Sequence, residues 1–395
     1  MSSRLLVLQF ILGLSVGAVI ACSPTRFNPG ASNTGSCAED TGCIADVNGL
    51  RTYQQNFEVG AGKVDILFVN DNSASMAVLQ EALKVRFAGF IQNLDAKKID
   101  YQIAMVTSDL ARTQKEKLIT FKNNKQYIST ADANRVELFK EELVRSETLK
   151  CENLIISMFN THGPSFRSRS DYASEYTKVC PAPDTRGLYT SHLVVSENTA
   201  QFIRSDANLN IILLSNDNER QSRKDLFESM DTAAAFTTMM SQKYPTKYWD
   251  FNSIIVKDNS CKAEQVLKNA QSQTVIDENG QSAISGNIGE EFATLSNSVT
   301  QGIDGNQRAR GKVLNICDKD YTQHFNDIAT QISDEARMLN LKCAPSEAPT
   351  VTIVGQAVNS QVKPVYQWKA DKIIFQKGYE GTQVQVGYKC FNGAK

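Results

Sequence analysis

The fold prediction rests on the stretch Val64-Asp65-Ile66-Leu67-Phe68-Val69-Asn70-Asp71-Asn72-Ser73-Ala74-Ser75-Met76. Its apolar first half is typical of a strand buried in a parallel sheet, and a helical pattern of apolar residues begins directly behind it. Between strand and helix stands the pattern Asp-x-Ser-x-Ser, formed by Asp71, Ser73 and Ser75. In an open α/β sheet, ligands bind outside the carboxyl ends of the strands, so this pattern predicts a ligand-binding loop.

The three polar side chains of this loop suit a small divalent cation. One carboxylate and two hydroxyls at alternate positions are oxygen ligands of the kind that Mg²⁺ prefers, about six at roughly 2.1 Å. Because two of the three are neutral, a carboxylate from another molecule becomes a favourable extra ligand. The alternative is that these residues only turn the chain and cap the next helix. We favour the metal, since capping needs one such residue and not three at this spacing.

Residues Phe68 to Met76 resemble the first motif of the von Willebrand factor A family, whose metal-ion-dependent adhesion site begins Asp-x-Ser-x-Ser. The resemblance implies a doubly wound α/β fold with a mostly parallel sheet. It also implies a bound Mg²⁺, or Mn²⁺, whose coordination is completed by an acidic residue of the binding partner. The resemblance covers about residues 60–340, with specific residues in two stretches and only the pattern of elements elsewhere.

The second specific stretch is an apolar strand, Ile211 to Leu214, that ends in Ser215-Asn216-Asp217. It resembles the second strand and loop of bacterial von Willebrand factor A lipoproteins, in which an Asp follows a Ser or Thr at the strand end. Here Asn216 follows Ser215 directly and the acid comes one place later. The resemblance therefore implies Asp217 as a further metal ligand, with Asn216 as the alternate. A solvated polar turn is the competing interpretation.

The pattern of the remaining chain predicts alternating strands and helices. A helix is predicted behind Met76, a second parallel strand at 101–107, later strands at 251–257 and 311–317, and a closing helix at about 325–336. We interpret residues from about 111 to 186 as an insertion on the ligand face, which includes a short edge strand at 118–121. The family's third motif is a Thr between the two loops, and Thr185 is the best match, with Thr161 behind it.

The C-terminal part changes from a helical to an alternating pattern after residue 343. Segments 350–354, 365–368, 373–375 and 384–388 predict antiparallel strands separated by turns. We therefore interpret residues 59–343 as the von Willebrand factor A-like domain and residues 344–395 as a small β extension.

The N-terminus indicates export. Arg4 and the apolar stretch from Leu5 to Ile20 have the form of a signal peptide over residues 1–21, and about 16 apolar residues are few for a membrane span. Val19-Ile20-Ala21-Cys22 resembles a bacterial lipobox, which implies cleavage before Cys22 and its acylation; an ordinary signal peptide is the alternative. By analogy with bacterial lipoproteins, Ser23 implies the outer membrane of a diderm cell, facing the periplasm or the surface. Residues 22–58 predict a flexible tether.

The nine cysteines fit an exported protein. With Cys22 assigned to the lipid, eight remain, an even number expected where disulfides persist. Neither a Cys-x-x-Cys motif nor a Cys/His finger spacing is present in the sequence, so zinc is disfavoured. Nearness in the fold that the resemblance implies suggests four pairs: Cys37 with Cys43, Cys151 with Cys180, Cys261 with Cys317, and Cys343 with Cys390.

Charge and motifs narrow the function. The formal net charge is −1 and the sequence has no basic cluster, which argues against nucleic acid as a partner. The sequence has neither a nucleophile elbow nor a readable pair of general acid and base, so no enzyme is expected. The prediction is a lipid-anchored adhesion module that captures an acidic group of a protein or glycan through its metal. The alternative is an envelope scaffold protein with a degenerate metal site, binding through the insertion or the β extension.

Overall fold

The computed structural model describes residues 43–45, 50–109, 118–181, 184–220, 228–283, 286–302, 305–355 and 365–391. The predicted signal peptide (1–21), the lipidation site Cys22 and most of the tether lie outside the described residues. Within the described part, no helix is long and apolar enough to cross a membrane.

Fifteen strands and nine α-helices are described. The strands are β1 (Cys43–Ala45), β2 (Leu50–Glu58), β3 (Lys63–Asn70), β4 (Asp100–Thr107), β5 (Ile128–Ser129), β6 (Asn208–Ser215), β7 (Trp249–Ile255), β8 (Val299–Gln301), β9 (Gln307–Ala309), β10 (Val313–Asn315), β11 (Met338–Asn340), β12 (Thr350–Ile353), β13 (Tyr366–Lys369), β14 (Lys372–Phe375) and β15 (Gln383–Phe391). The helices are α1 (Ala77–Ala96), α2 (Arg135–Leu143), α3 (Ser146–His162), α4 (Ser170–Val179), α5 (Gly187–Glu197), α6 (Ala233–Lys243), α7 (Asn259–Glu264), α8 (Glu290–Asn297) and α9 (Thr322–Glu335).

A six-stranded, mostly parallel sheet positions the candidate site. Its order is β5-β4-β3-β6-β7-β10, and only the edge strand β5 is antiparallel. Counted along the chain, these strands run 3-2-1-4-5-6, the order of doubly wound sheets, in which ligands bind where the order reverses. That point lies between β3 and β6, whose carboxyl ends carry the two predicted metal loops. The mixed α/β class predicted from the sequence is confirmed.

The apolar run of β3 is explained by burial on both faces of the sheet. Ile66 and Phe68 lie in one hydrophobic cluster with α1, α2 and α9, whereas Leu67 and Val69 lie in a second cluster with α5, α6 and α8. Successive strand residues point to opposite faces, so a strand between two helix layers is buried on both faces and is mostly apolar. This burial holds the strand end, and hence the Asp71 loop, in a rigid position.

The insertion is smaller than the predicted range of 111–186. Phe139 of α2 is fully buried, and its ring stacks on that of Phe87 with 3.5 Å between the ring centroids. The edge strand is β5, paired with β4, and not the predicted segment 118–121. Both α2 and β5 therefore belong to the central domain. The insertion proper consists of α3, α4 and the turn between them.

The β extension also contains a strand from the N-terminal side of the domain. β2 pairs antiparallel with β15 along its full length, from Leu50 opposite Phe391 to Glu58 opposite Gln383. The prediction that the tether continues to residue 58 is therefore wrong for 50–58. A second small sheet, β11-β14-β13, shares a hydrophobic cluster with this one around Tyr53, Phe375 and Val384. The segments that flank the central domain thus meet in one β unit.

Three of the predicted disulfides are present: Cys151–Cys180, Cys261–Cys317 and Cys343–Cys390. They close loops with sequence separations of 29, 56 and 47 residues, for which chain-entropy arguments give each a stabilisation of about 4 kcal/mol. The fourth predicted pair involves Cys37, which lies outside the described residues.

Candidate metal centre

The Asp71 loop begins where β3 ends and is fixed by three other elements. The Asp71 N–H donates to the Leu214 carbonyl of β6 at 2.9 Å. From α1, the buried amide of Gln80 donates to the Asp71 carbonyl at 2.8 Å. From the insertion, Thr148 Oγ1 donates to the Asn72 carbonyl at 2.7 Å. The loop is therefore held in one conformation by the protein itself.

The two serine hydroxyls of the loop do not cap a helix. Ser73 precedes the short 3₁₀ helix Ala74–Met76 and makes no side-chain capping bond. Instead, Ser73 Oγ lies 3.1 Å from Ser75 Oγ, and Ser75 Oγ donates to Asn216 Oδ1 at 2.9 Å. Asp71 Oδ1 accepts from the Ser73 N–H at 2.9 Å, which is the turn-forming bond expected of an Asp. Capping does not explain the two hydroxyls: that of Ser75 contacts the second loop, and that of Ser73 contacts Ser75.

Asp71 is a buried carboxylate, only 1% exposed, and its hydrogen-bond partners are neutral. Its Oδ2 accepts from Ser215 Oγ at 2.7 Å and lies 3.5 Å from Thr185 Oγ1, while Ser108 Oγ approaches Oδ1 at 3.4 Å. Burial raises the pKa of Asp71, and the hydroxyl and amide donors lower it only in part. Among the described residues, no cationic side chain pairs with Asp71. A buried charge without a counter-ion is costly, so taking up a proton or binding a cation would each stabilise this carboxyl group.

Thr185 is brought to Asp71 by a loop that a charged network holds. Its carbonyl accepts from the Arg220 N–H at 2.8 Å. The Arg220 guanidinium pairs with Asp184 at 3.3 Å and with Asp231 at 3.5 Å, and Arg186 pairs with Asp231 at 2.9 Å. These ion pairs place the Thr185 hydroxyl opposite the Asp71 loop.

The second loop places Asn216 and Asp217 differently. Asn216 Oδ1 contacts Ser75, as described above, whereas Asp217 Oδ1 accepts from Asn287 Nδ2 and from the Asn218 N–H, both at 2.9 Å. Burial, with the negative charge of Asp71 adding to it, raises the pKa of Asp217 to about 7. The structure thus groups five of the predicted residues, with Asp217 beside them bonded to other partners. Ser75 Oγ contacts the side chains of Ser73 and Asn216, and the Asp71 carboxylate lies 3.5 Å from Thr185 Oγ1. The Ser73 N–H, which donates to Asp71 Oδ1, joins the two sets.

Sequence analysis missed several residues of this site. Ser108 and Ser215 both stand at the carboxyl ends of strands that neighbour β3, where polar side chains meet at one edge of the sheet. Considering every hydroxyl at those strand ends would have found them. Gln265 and Asn287 contact the second loop from 49 and 70 residues away along the chain, and no local sequence pattern indicates such contacts.

Two pairs of donor oxygens have the spacing of neighbouring ligands around a small cation, which is also the spacing of hydrogen-bonded oxygens. Octahedral ligands at about 2.1 Å from a metal lie about 3.0 Å from one another. The distances between Ser73 Oγ and Ser75 Oγ (3.1 Å) and between Ser75 Oγ and Asn216 Oδ1 (2.9 Å) match that value. The described residues contain no group of three or more His, Cys, Asp or Glu side chains that could hold a metal. A metal at this site would be held mostly by neutral oxygens, which fits Mg²⁺ or Mn²⁺ and not zinc.

No protein-family model matches the chain, and no curated protein sequence matches it. Among solved structures, the chain is similar to the pilus adhesin SpaC from Lactobacillus rhamnosus GG in its open conformation, with 13% identity over 88% of this chain and 41% of that one, and a TM-score of 0.35. It is also similar to proximal thread matrix protein 1 from the mussel byssus, with 12% identity over 72% of this chain and 48% of that one, and a TM-score of 0.34. The chain spans less than half the length of either protein. Similarity at this level does not define a shared function.

Proposed function

We propose that the chain is a metal-dependent adhesion module with a von Willebrand factor A-like domain. Asp71, Ser73 and Ser75, with Thr185 and an oxygen of the second loop, would hold Mg²⁺ or Mn²⁺. The observation that carries this proposal is the buried Asp71 carboxylate, whose contacts in the described part of the chain are hydroxyl and amide donors. The position of the group at the point where the strand order reverses is a second support. The proposed role is binding and not catalysis.

The charge of this donor set supports a ligand that brings a carboxylate. A single ionised Asp does not balance a divalent cation, and neutral hydroxyl and amide oxygens leave it with a net positive charge. Mg²⁺ also tends to keep exchangeable positions in its coordination shell instead of being enclosed by protein ligands alone. A side-chain carboxylate of a protein, or an acidic sugar of a glycan, has the charge and the oxygen atoms to fill such a position.

Matched peptides test this proposal. Immobilised peptides that carry Asp or Glu would be compared with the same peptides carrying Asn or Gln, each exposed to the purified chain with Mg²⁺ or Mn²⁺ and again with EDTA. We expect retention on the acidic peptides in the presence of metal only, because the metal joins the two sets of oxygens. Retention that persists in EDTA, or that is equal on the acidic and amide peptides, would argue against a metal-dependent adhesion site.

A scaffold protein with a degenerate metal site is the second candidate. It is favoured by the hydrogen-bonded line from Ser73 through Ser75 to Asn216, in which the polar groups satisfy one another without a cation. The neutral Asn216 directly after Ser215 also fits a weakened site. In this case assembly would use the insertion or the β extension. Calorimetric titration with Mn²⁺ separates the two candidates, since a scaffold of this kind would show no binding.

We also propose that acylated Cys22 anchors the chain to the outer membrane. In a diderm host the wild-type protein should incorporate an alkyne-labelled fatty acid and sediment with outer-membrane vesicles. The Cys22→Ser variant should lose the label and move to the soluble fraction, because each buried CH₂ of an acyl chain contributes about 0.8 kcal/mol to membrane binding. An unlabelled Cys22→Ser protein that still sediments with membranes would show that another part of the chain binds them.

A further inference from the structure

A line of polar contacts runs from a disulfide to the Asp-x-Ser-x-Ser loop. Gln265 follows α7 directly, and its Nε2 donates to Cys317 Sγ at 3.2 Å. Its Oε1 accepts from Asn216 Nδ2 at 3.2 Å, and Asn216 Oδ1 accepts from Ser75 Oγ at 2.9 Å. The disulfide between Cys261 and Cys317 joins α7 to the segment behind β10. Gln265 therefore stands on a covalently fixed support.

The disulfide sulfur determines which group donates and which accepts in each of these hydrogen bonds. A sulfur in a disulfide carries no hydrogen, so it can accept a hydrogen bond but cannot donate one. The NH₂ group of Gln265 must therefore face the sulfur, and its oxygen must face Asn216. Asn216 in turn must offer its own NH₂ group to Gln265, and this leaves its oxygen facing Ser75. The disulfide thus selects which atom of the Asn216 amide faces the proposed metal.

Without Gln265 this selection would be lost. The oxygen and nitrogen of an Asn side chain are nearly equal in size, and the Ser75 hydroxyl can either donate or accept. Both orientations of the Asn216 amide would then satisfy Ser75. Only one of them supports metal binding, because the NH₂ nitrogen is a donor and has no lone pair to offer a cation.

The backbone of Asn216 is fixed as firmly as its side chain. Its carbonyl accepts from the Asn287 N–H at 2.9 Å. A Cβ added at Gly286 would lie 2.6 Å from the same carbonyl oxygen, so the two loops are in close contact there. The same Asn287 donates through its side chain to the Asp217 carboxylate at 2.9 Å. One neighbouring loop therefore holds Asn216 in place and occupies an oxygen of Asp217.

We infer that Gln265 is a positioning residue of the proposed metal site and that Asn216, instead of Asp217, supplies the oxygen of the second loop. This inference rests on the proposed function, because it concerns the ligands of the same metal. A neutral amide oxygen at this position leaves the cation more positive than a carboxylate would. The site would therefore depend more strongly on the carboxylate of its binding partner.

The test is the Mn²⁺ affinity of the purified chain and its variants, measured by titration calorimetry. Gln265→Ala should weaken Mn²⁺ binding by roughly tenfold or more, the effect of removing a group that orients a metal ligand. Asn216→Ala should weaken it at least as much. Asp217→Asn removes a nearby negative charge but no ligand oxygen, so it should weaken Mn²⁺ binding less than Asn216→Ala does. Loss of binding in Asp217→Asn but not in Asn216→Ala would overturn the inference.

The Asn216→Asp background separates positioning from general damage to the loop. A carboxylate presents an oxygen whichever way it turns, and it has no N–H to offer to the Gln265 oxygen. Adding Gln265→Ala to Asn216→Asp should therefore not weaken Mn²⁺ binding. The positioning role would be overturned if Gln265→Ala lowered the Mn²⁺ affinity equally in the wild-type chain and in Asn216→Asp. It would also be overturned if Gln265→Ala did not lower the affinity of the wild-type chain. A wild-type chain that binds no Mn²⁺ would overturn both the inference and the proposed function. If the wild-type chain binds Mn²⁺ and Gln265→Ala binds it equally well, only the inference is overturned.

Discussion

Replacing Asp71 with Asn should abolish Mn²⁺ binding while the fold persists. Asn has the size of Asp but no charge, and the other members of the proposed ligand set are hydroxyl and amide oxygens. Removing the charged member should weaken binding by at least about a hundredfold, the upper end of the loss seen when an outer-shell partner is removed. Titration calorimetry of the variant against Mn²⁺, beside the wild type, is the direct measurement.

Thermal unfolding provides an independent measure of the same effect. A ligand that binds only the folded state stabilises it by about 2.7 kcal/mol when its concentration is a hundred times its Kd. The melting temperature of the wild type should therefore rise with Mn²⁺, and that of Asp71→Asn should not. Without metal, the variant should be at least as stable as the wild type, because it no longer buries a carboxylate that lacks a counter-ion. Ser108 and Ser215 can still hydrogen-bond to the amide.

Asp217→Asn is the matched control, since it removes the neighbouring carboxylate by the same chemical change. The control should still bind Mn²⁺ and show the Mn²⁺-dependent rise in melting temperature, and it should lose far less affinity than Asp71→Asn. If Asp71→Asn binds Mn²⁺ as the wild type does, the metal is not held where we propose. If the wild type shows neither binding nor stabilisation, the scaffold candidate is favoured.

The parts of the fold that could be predicted are those marked by a pattern of neighbouring residues in the sequence. The apolar strands β3 and β6 could be identified because each is buried between two helix layers and is apolar on both faces. The candidate site followed from them, since polar residues at the ends of neighbouring parallel strands must meet. Asp71, Ser73 and Ser75 could therefore be placed together from the sequence alone.

The parts that could not be predicted depend on partners far away in the chain. Strand β2 has the pattern of a linker because Tyr53 is its one buried residue. Its partner β15 follows more than 300 residues later. The choice between Asn216 and Asp217 as the ligand of the second loop could not be predicted for the same reason. It depends on Gln265 and Asn287, whose positions are set by the loops behind β7 and not by any pattern around Ser215.

Asp65 is a further residue that the sequence leaves unexplained, because it stands within the apolar run of β3. It is fully buried, and its Oδ1 accepts from Arg204 Nε at 2.7 Å while its Oδ2 accepts from the Arg204 N–H at 2.7 Å. The Arg204 guanidinium also donates to the Val64 carbonyl at 3.0 Å and to Asp100 Oδ1 at 2.9 Å. One arginine thus neutralises the buried charge and joins β3 and β4 to the segment that leads into β6.

Replacing Arg204 with Met should therefore destabilise the chain by up to about 3–5 kcal/mol at a pH high enough to keep Asp65 ionised, the cost of leaving a buried charge unpaired. The loss should be smaller at neutral pH, where Asp65 can take up a proton. Met keeps the apolar part of the side chain, so the loss reports mainly on the charge. Urea denaturation followed by circular dichroism measures it as a lower midpoint. The Asp65→Asn/Arg204→Met double variant is the control. It buries no charge at this position and should regain most of the lost stability.

The pH dependence of the Arg204→Met variant distinguishes an unpaired charge from simple loss of packing. Burial raises the pKa of Asp65 to about 6 even with Arg204 beside it, so its removal should raise that pKa further. In the unfolded chain the pKa of an Asp is about 3.9, so the folded state binds the proton more tightly. The unfolded-state pKa is the same for wild type and variant, so the deficit should be complete above the raised pKa of the variant and should shrink until the pH falls to about 6, the wild-type value. If the loss of stability relative to the wild type is the same at pH 5 and pH 8, and the double variant shows it too, the loss comes from packing and not from the unpaired charge.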